Sequence, residues 1–288
     1  MKWFKRSPVV PVLHLSGTIG VASPLRPGLS LSSVAEPIEK AFTMSKTKAV
    51  AVVINSPGGS PVQSSLIFRR LRQLAEENEK KVYVFCEDVA ASGGYYLAVA
   101  GDEIYADASS IVGSIGVITA SFGFVEAIEK LGIERRVYTS GISKSQLDPF
   151  KPENSDDVKR LKEIQGDIHD AFIAVVKERR AEHLNSPDND LFNGAFWSAT
   201  KAHELGLIDG ISDVRSKMRE LFGKKVKLRR VPMSKGGLFS RLKRLSVATS
   251  EPLAVSQLLS ADANDGLSIS DAVVSTLERR SLWSRFGF

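Results

Sequence analysis

The sequence predicts an α/β domain built on a largely parallel β-sheet. Three observations predict it: short apolar runs rich in β-branched residues recur along the chain, segments with helical spacing separate them, and glycine-rich turns follow them. Nearly continuous apolar runs are typical of strands that are covered on both faces. Strands that alternate with helices require parallel crossover connections, so we expect the chemistry in the turns that follow the strands.

The first half of the chain predicts three strands and two helices. The strands are expected at Val9–Leu15, Lys48–Ile54 and Lys81–Cys86, and the helices between them at Ser33–Ser45 and Val62–Glu77. The second helix has leucines on one side and arginines on the other, which indicates one buried and one solvated face.

The second half predicts a short apolar helix at Tyr95–Ala100, a strand at Ile115–Ile118 and a helix around Val125–Leu131. A long helix is expected from Ser155 to about Leu184, because its apolar residues repeat at intervals of three and four. A later short helix is predicted to end at Gly206.

The net charge of +6 is concentrated near the two ends of the chain. Residues 1–6 hold three basic residues and residues 223–245 hold nine, with no acid in either segment, so the rest of the chain is net acidic. We interpret the basic segments as solvated tails or as contacts to anionic lipid, and less often as nucleic-acid arms. The globular domain is expected over residues 1–231, followed by a basic, amphipathic and partly disordered tail over residues 232–288 with short helices near 240–247 and 270–286.

No stretch reaches the 18 apolar residues of a membrane span, and no secretory signal is recognisable. We therefore expect a cytoplasmic protein, with peripheral membrane contact through the basic termini as the alternative. The single cysteine, Cys86, lies among hydrophobic residues and is expected to be a buried, inert thiol.

Three glycine-rich turns follow predicted strands: Asn55–Gly59, Ala91–Gly94 and Gly113–Gly116. Adjacent glycines let backbone amides approach a phosphate or a developing oxyanion. Neither of the common phosphate-binding fingerprints is present, so an oxyanion site is favoured. No cofactor and no metal are expected.

Ser92 follows the third strand and precedes two glycines and an apolar helix. It is either a helix N-cap or a nucleophile. The four histidines lie within predicted strands and helices, and Ala90 breaks the G-x-S-x-G pattern, so a Ser-His-Asp triad is disfavoured. Lysine is the remaining common base, and it needs surroundings that lower its pKa by about three units from a free value near 10.4. Lys144 lies among small hydroxyl residues with no carboxylate closer in sequence than Asp148.

Four motifs in order resemble the signal peptide peptidase A family, peptidase family S49, which includes the shorter SohB-type proteases. They are VVINSPGGS at Val52–Ser60, ASGGYYLA at Ala91–Ala98, VGSIGV at Val112–Val117 and GISKSQLDPF at Gly141–Phe150. The separation of 52 positions from Ser92 to Lys144 fits the short bacterial form, and the resemblance covers about Val9–Val231.

The resemblance implies a serine endopeptidase with a Ser/Lys dyad, in which Ser92 is the nucleophile, Lys144 the base, and Ser114 the hydroxyl that holds the lysine amine. The backbone amides of Gly59 and Gly93 are implied as the oxyanion hole. It also implies the spiral of ββα units shared with crotonases and the Clp peptidase, and a homo-oligomeric ring, a tetramer or an octamer, whose protomers complete one another's sites. The implied substrates are unfolded or signal-peptide-like apolar chains. No nucleic-acid partner is implied.

Two other functions would share part of this pattern, one the glycine turns and the other only the fold. A crotonase-like acyl-CoA site would share the glycine turns, but that chemistry relies on carboxylates and gives Lys144 no role. A scaffold that kept the fold and bound membrane or partners through its basic termini would need no dyad at all.

Overall fold

The computed structural model describes residues 7–20, 28–141, 143–233 and 281–287. Its helices and strands follow one another in the order β1 (Val9–Ser16), α1 (Leu31–Thr43), β2 (Ala49–Ser56), α2 (Pro61–Glu77), β3 (Lys81–Ala91), α3 (Gly93–Ala98), β4 (Glu103–Ala106), β5 (Ile111–Gly113), α4 (Val125–Lys130), α5 (Ser155–Arg180), α6 (Asp188–Leu191), β6 (Phe196–Ser198), α7 (Ala199–Glu204), β7 (Gly210–Ile211), α8 (Val214–Phe222) and β8 (Lys227–Arg230).

The eight strands form one sheet in which the order β6-β5-β3-β2-β1-β8 runs from edge to edge, while β4 pairs with β3 and β7. Every pairing is parallel except that of β6 with β5. The predicted fold class, α/β with a largely parallel sheet, is therefore confirmed.

Strand β3 pairs with two different strands along its length, and this change of partner sets which strand ends lie side by side. Its first part pairs with β4, and its last three residues, from Val89 to Ala91, pair with β5. Between the two parts lie Glu87 and Asp88, whose side chains are exposed. The register between β2 and β3 shifts at the same level, where Asn55 donates a hydrogen bond to Asp88 at 2.6 Å.

Two apolar cores cover the two faces of the sheet. The larger core packs α1, α2, α3 and α5 against one face, and the smaller core includes Met218 of α8 on the other face. Local signals set the helix starts: Ser30 and Ser33 form a capping box for α1, and Ser60 caps α2 just ahead of Pro61. Asn154 caps α5, whose first turn holds two aspartates.

A buried ion pair anchors the end of α5 to the returning chain. The Arg180 guanidinium is almost fully buried, binds the Asp209 carboxylate at 2.9 Å and donates to the Gly206 carbonyl at 2.8 Å. Gly206 has φ +78°, and a Cβ there would lie 1.7 Å from the His183 carbonyl oxygen, so glycine is required at this predicted helix end.

Two predictions about local structure were wrong. Ile115–Ile118 is not a strand, because the chain leaves β5 at Gly113 and Ser114 with positive φ angles of 105° and 53°. Part of the basic segment over 223–245 is not a solvated tail, because β8 is an edge strand that pairs with β1.

Several other predictions fall on residues outside those described. They are the basic segment 1–6, the remainder of the tail up to residue 280 and its helix near 240–247. Residues 281–284, at the end of the second predicted tail helix, are helical. Among the described residues, no helix combines the length and apolar character needed to cross a membrane.

Candidate active site

Paired strand ends bring Ser92 and Ser114 together. Ala91 of β3 is the register partner of Gly113 of β5, so the next residue on each strand is one of the two serines. The Ser92 amide donates to the Gly113 carbonyl at 2.8 Å, and the Ser114 amide donates to the Ala195 carbonyl at 2.7 Å. Both serines have φ 53°, which is uncommon for a residue with a side chain. Strain of this kind is typical of functional sites.

Ser92 occupies the N-cap position of α3, but its side chain does not cap the helix. Its backbone (φ 53°, ψ −121°) is not the extended conformation of a usual N-cap, and its side chain makes no capping hydrogen bond to α3. The residue is only partly buried. The hydroxyl therefore does not cap the helix, and Ser92 lines the cavity described below.

Two glycine turns place backbone amides beside Ser92. A Cβ on Gly58 would lie 2.8 Å from the Ser92 Cβ and 2.9 Å from the Gly93 amide nitrogen, so only glycine permits this approach. Gly93 is the first residue of α3, and its amide has no partner within the helix. Gly59 (φ +141°) bridges to Ile19 and lies with Gly93 at the same cavity as Ser92.

A cavity of about 380 Å³ opens at the two serines. Ser92, Ser114, Gly116, Val117, Ile118, His169, Phe192, Asn193, Gly194 and Arg285 line it. A second cavity of about 30 Å³ adjoins it on the side of the glycine amides, and its apolar walls are Pro61, Tyr96, Val117, Ile168 and Phe172. The site therefore combines a hydroxyl, two candidate oxyanion donors and a small apolar recess.

Lys144 is not among the described residues that line either cavity. It is exposed and lies on a segment that we call the arm, residues 119–153, of which Ile142 falls outside the described residues. The arm exposes large apolar side chains, including Phe122 (78% exposed), Leu131 (72%) and Tyr138 (90%).

The loop that carries Lys144 is closed by an ion pair. The Arg135 guanidinium donates to the Asp148 carboxylate at 2.9 Å and stacks over the Phe150 ring, with its central carbon 4.7 Å from the ring centroid. Hydrogen bonds from the Phe150 amide, and then from Arg135 and Ser145, hold the pKa of Asp148 below its ordinary value. The carboxylate nearest to Lys144 in sequence is thus engaged by other groups.

Three polar residues of the larger cavity were not predicted from the sequence as site residues: His169, Asn193 and Arg285. The His169 ring nitrogen Nε2 lies 3.1 Å from the Ile115 carbonyl oxygen, next to Ser114. The signal for His169 was its spacing, three residues before the buried Phe172 on the apolar side of α5. Nothing local in the sequence indicated Arg285, which is distant along the chain.

Cys86 has the predicted character. It is a free, buried thiol on β3, and burial raises its pKa to about 12. Within the described part of the chain, no group of three or more His, Cys, Asp or Glu side chains is arranged to hold a metal ion.

Comparison with known proteins decides the family. The model of peptidase family S49 matches residues 75–228, which is more than half of the chain and includes both serines and Lys144. The chain belongs to peptidase family S49. The predicted family is therefore confirmed, and the S49 match contains the strand ends at which the two serines meet.

Two curated relatives are much longer than this S49 chain. The Na(+)/H(+) antiporter NhaA of Brucella abortus is 51% identical over 282 residues, which cover 96% of this chain and 37% of that protein. The chloroplastic serine protease SPPA of Arabidopsis thaliana is 30% identical over 210 residues, which cover 70% of this chain and 30% of that protein. The chain thus spans about a third of the length of these relatives, and their names describe the longer proteins.

A solved structure shares the fold. The membrane-bound stomatin-specific protease 1510-N, in complex with a substrate peptide, superimposes with a TM-score of 0.51 and 16% identity, covering 83% of this chain and 99% of that one.

Proposed function

We propose that this chain is a serine endopeptidase in which Ser92 is the nucleophile and Lys144 of a neighbouring protomer is the general base. The observation that carries the proposal is the pairing of Ser92 with Ser114 at adjoining strand ends, where the glycine turns present backbone amides to the same cavity. A peptide carbonyl at this point would have a hydroxyl on one side and amide donors on the other.

The reaction follows from these positions. The Ser92 Oγ attacks the carbonyl carbon of the scissile bond as its proton passes to the base, and the Gly59 and Gly93 amides donate to the oxyanion. Collapse of this intermediate breaks the carbon–nitrogen bond, and the base returns the proton to the departing amine. Water then hydrolyses the Ser92 ester by the same steps. Each oxyanion donor contributes about 3 kcal/mol in the transition state, and Ser114 orients the lysine amine.

The position of Lys144 supports a site shared between protomers. The lysine is exposed on the arm, and the arm carries large apolar side chains that face solvent in the single chain. Burying those side chains against a second copy would be favourable, and it would bring Lys144 into a drier environment next to another chain's serines. A heterologous contact of this kind closes into a ring if its rotation permits, as in the predicted tetramer or octamer.

His169 is the rival base, because it lines the cavity with Ser92 within one chain. Its Nε2 is placed to donate to the Ile115 carbonyl, which fixes the ring to the backbone. We assign it to positioning that backbone rather than to proton transfer. His169→Ala should therefore retain most activity, whereas Lys144→Ala should abolish it.

The small recess supports apolar substrates. It lies beside the candidate oxyanion donors, and its walls include Tyr96, Ile168 and Phe172. Its volume of about 30 Å³ holds roughly one water-sized or methyl-sized group, so the residue before the scissile bond should be small and apolar. A peptide library varied at that position should show this preference, and it should also test whether unfolded, signal-peptide-like chains are cleaved.

Subunit mixing tests the shared site. Ser92→Ala and Lys144→Ala protomers are each inactive, but in an exchanged ring some interfaces pair an intact Ser92 with an intact Lys144. A one-to-one mixture should recover up to about a quarter of wild-type activity, because that fraction of directional interfaces is complete.

The control is the same mixture held under conditions in which protomers do not exchange, which should stay inactive. Background activity in a mixture shown to exchange, by mass spectrometry of differently labelled subunits, would contradict the shared site. Full loss of activity in a folded His169→Ala protein would transfer the role of base to His169.

A further inference from the structure

A short C-terminal segment, residues 281–287, packs against the sheet beside the candidate nucleophile. Phe286 is only 7% exposed and lies in an apolar cluster with Val89 and Ala91 of β3, against which Trp283 also packs. Its ring meets that of Phe196 edge-on, with centroids 5.1 Å apart. Because Ala91 immediately precedes Ser92, the cluster fixes the segment at the edge of the site.

Arg285 is held between the two aromatic anchors of this segment. The Phe286 amide donates to the Trp283 carbonyl at 2.9 Å, and the Gly287 amide donates to the Ser284 carbonyl at 3.1 Å, so the backbone on both sides of Arg285 is turned tightly. Arg285 is an exposed residue that lines the larger cavity together with Ser92 and Ser114, and its guanidinium carbon lies 5.8 Å from the centroid of the Phe286 ring. An arginine distant in sequence is thereby placed at the cavity that also holds Ser92.

The fixed charge among the described residues that line the larger cavity is positive. Among the described residues that line it, Arg285 carries a fixed positive charge, His169 is the other titratable group, and there is no carboxylate. Arg285 forms no ion pair with any acid of the described ranges. A planar guanidinium at the edge of a cavity suits a carboxylate, which it can bind through two parallel hydrogen bonds.

We propose that Arg285 forms a carboxylate subsite that selects peptide substrates carrying a negative charge near the scissile bond. The proposal rests on the proposed peptidase activity at Ser92 and adds a specificity to it. The carboxylate has two sources in a peptide, an acidic side chain or a free C-terminus. Both present the same chemistry to the guanidinium, and they are separated by the choice of substrate.

The test uses four fluorogenic peptides that share one apolar core sequence. Two carry Glu or Gln near the cleaved bond and have amidated C-termini, and two lack the acidic residue and end in a free or an amidated C-terminus. The wild-type protein should cleave one charged peptide with a kcat/KM about three- to tenfold above that of its neutral partner. Preference for the Glu peptide identifies a side-chain carboxylate, and preference for the free C-terminus identifies the terminal one.

Arg285→Ala should abolish the preference, and Arg285→Glu should reverse it. Arg219→Glu makes the same charge change on an exposed residue of α8 that does not line the cavity, and it should leave the preference intact. Thermal unfolding of each variant verifies that the fold is kept.

Equal cleavage of charged and neutral peptides by the wild type, or a preference that survives in Arg285→Glu, overturns the subsite. If Ser92→Ala is inactive in the same assay, the peptidase assignment stands without the subsite. Hydrolysis that persists in Ser92→Ala would instead overturn the proposed function itself.

Discussion

Replacing Gly58 by alanine should remove activity while leaving the protein folded. Gly58 has φ +102°, a conformation that costs a residue with a side chain about 1–2 kcal/mol. The added Cβ would also lie 2.8 Å from the Ser92 Cβ and 2.9 Å from the Gly93 nitrogen. Carbon atoms pack at about 3.5–4.0 Å, so the nucleophile or the amide must move by roughly 1 Å.

A displacement of that size at a reacting centre lowers the rate about 100-fold, and the loss of an oxyanion donor has an effect of 100- to 1,000-fold. We therefore expect Gly58→Ala to reduce kcat by at least about 100-fold. The assay is peptide hydrolysis at saturating substrate, combined with denaturant unfolding to measure stability.

Gly223→Ala is the matched control. Gly223 also has a positive φ, +83°, but a Cβ there meets nothing within 4 Å. Its φ and ψ of 83° and 163° lie in a region that is essentially restricted to glycine, so Gly223→Ala should lose about 1–3 kcal/mol of stability and keep its activity. If Gly58→Ala is folded and turns over substrate as fast as Gly223→Ala, the close approach of Gly58 to Ser92 is not needed for activity, and the prediction is refuted.

Four further outcomes are expected. Ser114→Ala should lower turnover by roughly ten- to a thousandfold with little change in KM; unchanged turnover would leave Ser114 a purely structural role. Activity should be higher at mildly alkaline pH than at pH 6, because the base must be deprotonated, and a maximum near pH 5 would indicate carboxylate chemistry. Arg180→Ala should lower the free energy of unfolding by about 3–5 kcal/mol, because it leaves the Asp209 carboxylate without its buried partner, whereas Lys201→Ala at an exposed pair should cost less than about 1 kcal/mol. Cys86, whose pKa is raised to about 12 by burial, should react with Ellman's reagent at pH 8 only after unfolding, and rapid reaction of the folded protein would contradict its burial.

The sequence was most informative where strands are buried on both faces. The runs at β1 and β2 were predicted to within two residues at each end because nearly every position is apolar or small, with His14 and Asn55 as the exceptions. Strand β3 was predicted too short, since Glu87 and Asp88 interrupt its apolar run although the backbone stays extended to Ala91. Strand β8 was missed because its basic, exposed side chains have no strand-like alternation, and only its pairing with β1 defines it.

The site could be predicted as far as it depends on local turns. Ser92, Ser114, Gly59 and Gly93 all follow strands, and parallel strands end at the same edge of a sheet. His169 and Arg285 reach the cavity through the packing of α5 and of the C-terminal segment, which no local pattern encodes. The proposed partner of Lys144 lies on another chain, in a contact that no local pattern encodes.

The most direct test of the account is covalent labelling of Ser92 with a fluorophosphonate probe, which reacts with activated serine nucleophiles. Peptide mapping by mass spectrometry should find the probe on Ser92 in the wild-type protein. It should find none in Ser92→Ala, and labelling in Lys144→Ala should be greatly reduced because the nucleophile has lost its base. Labelling at another serine, or no labelling in a folded and assembled sample, would contradict the claim that Ser92 is the nucleophile.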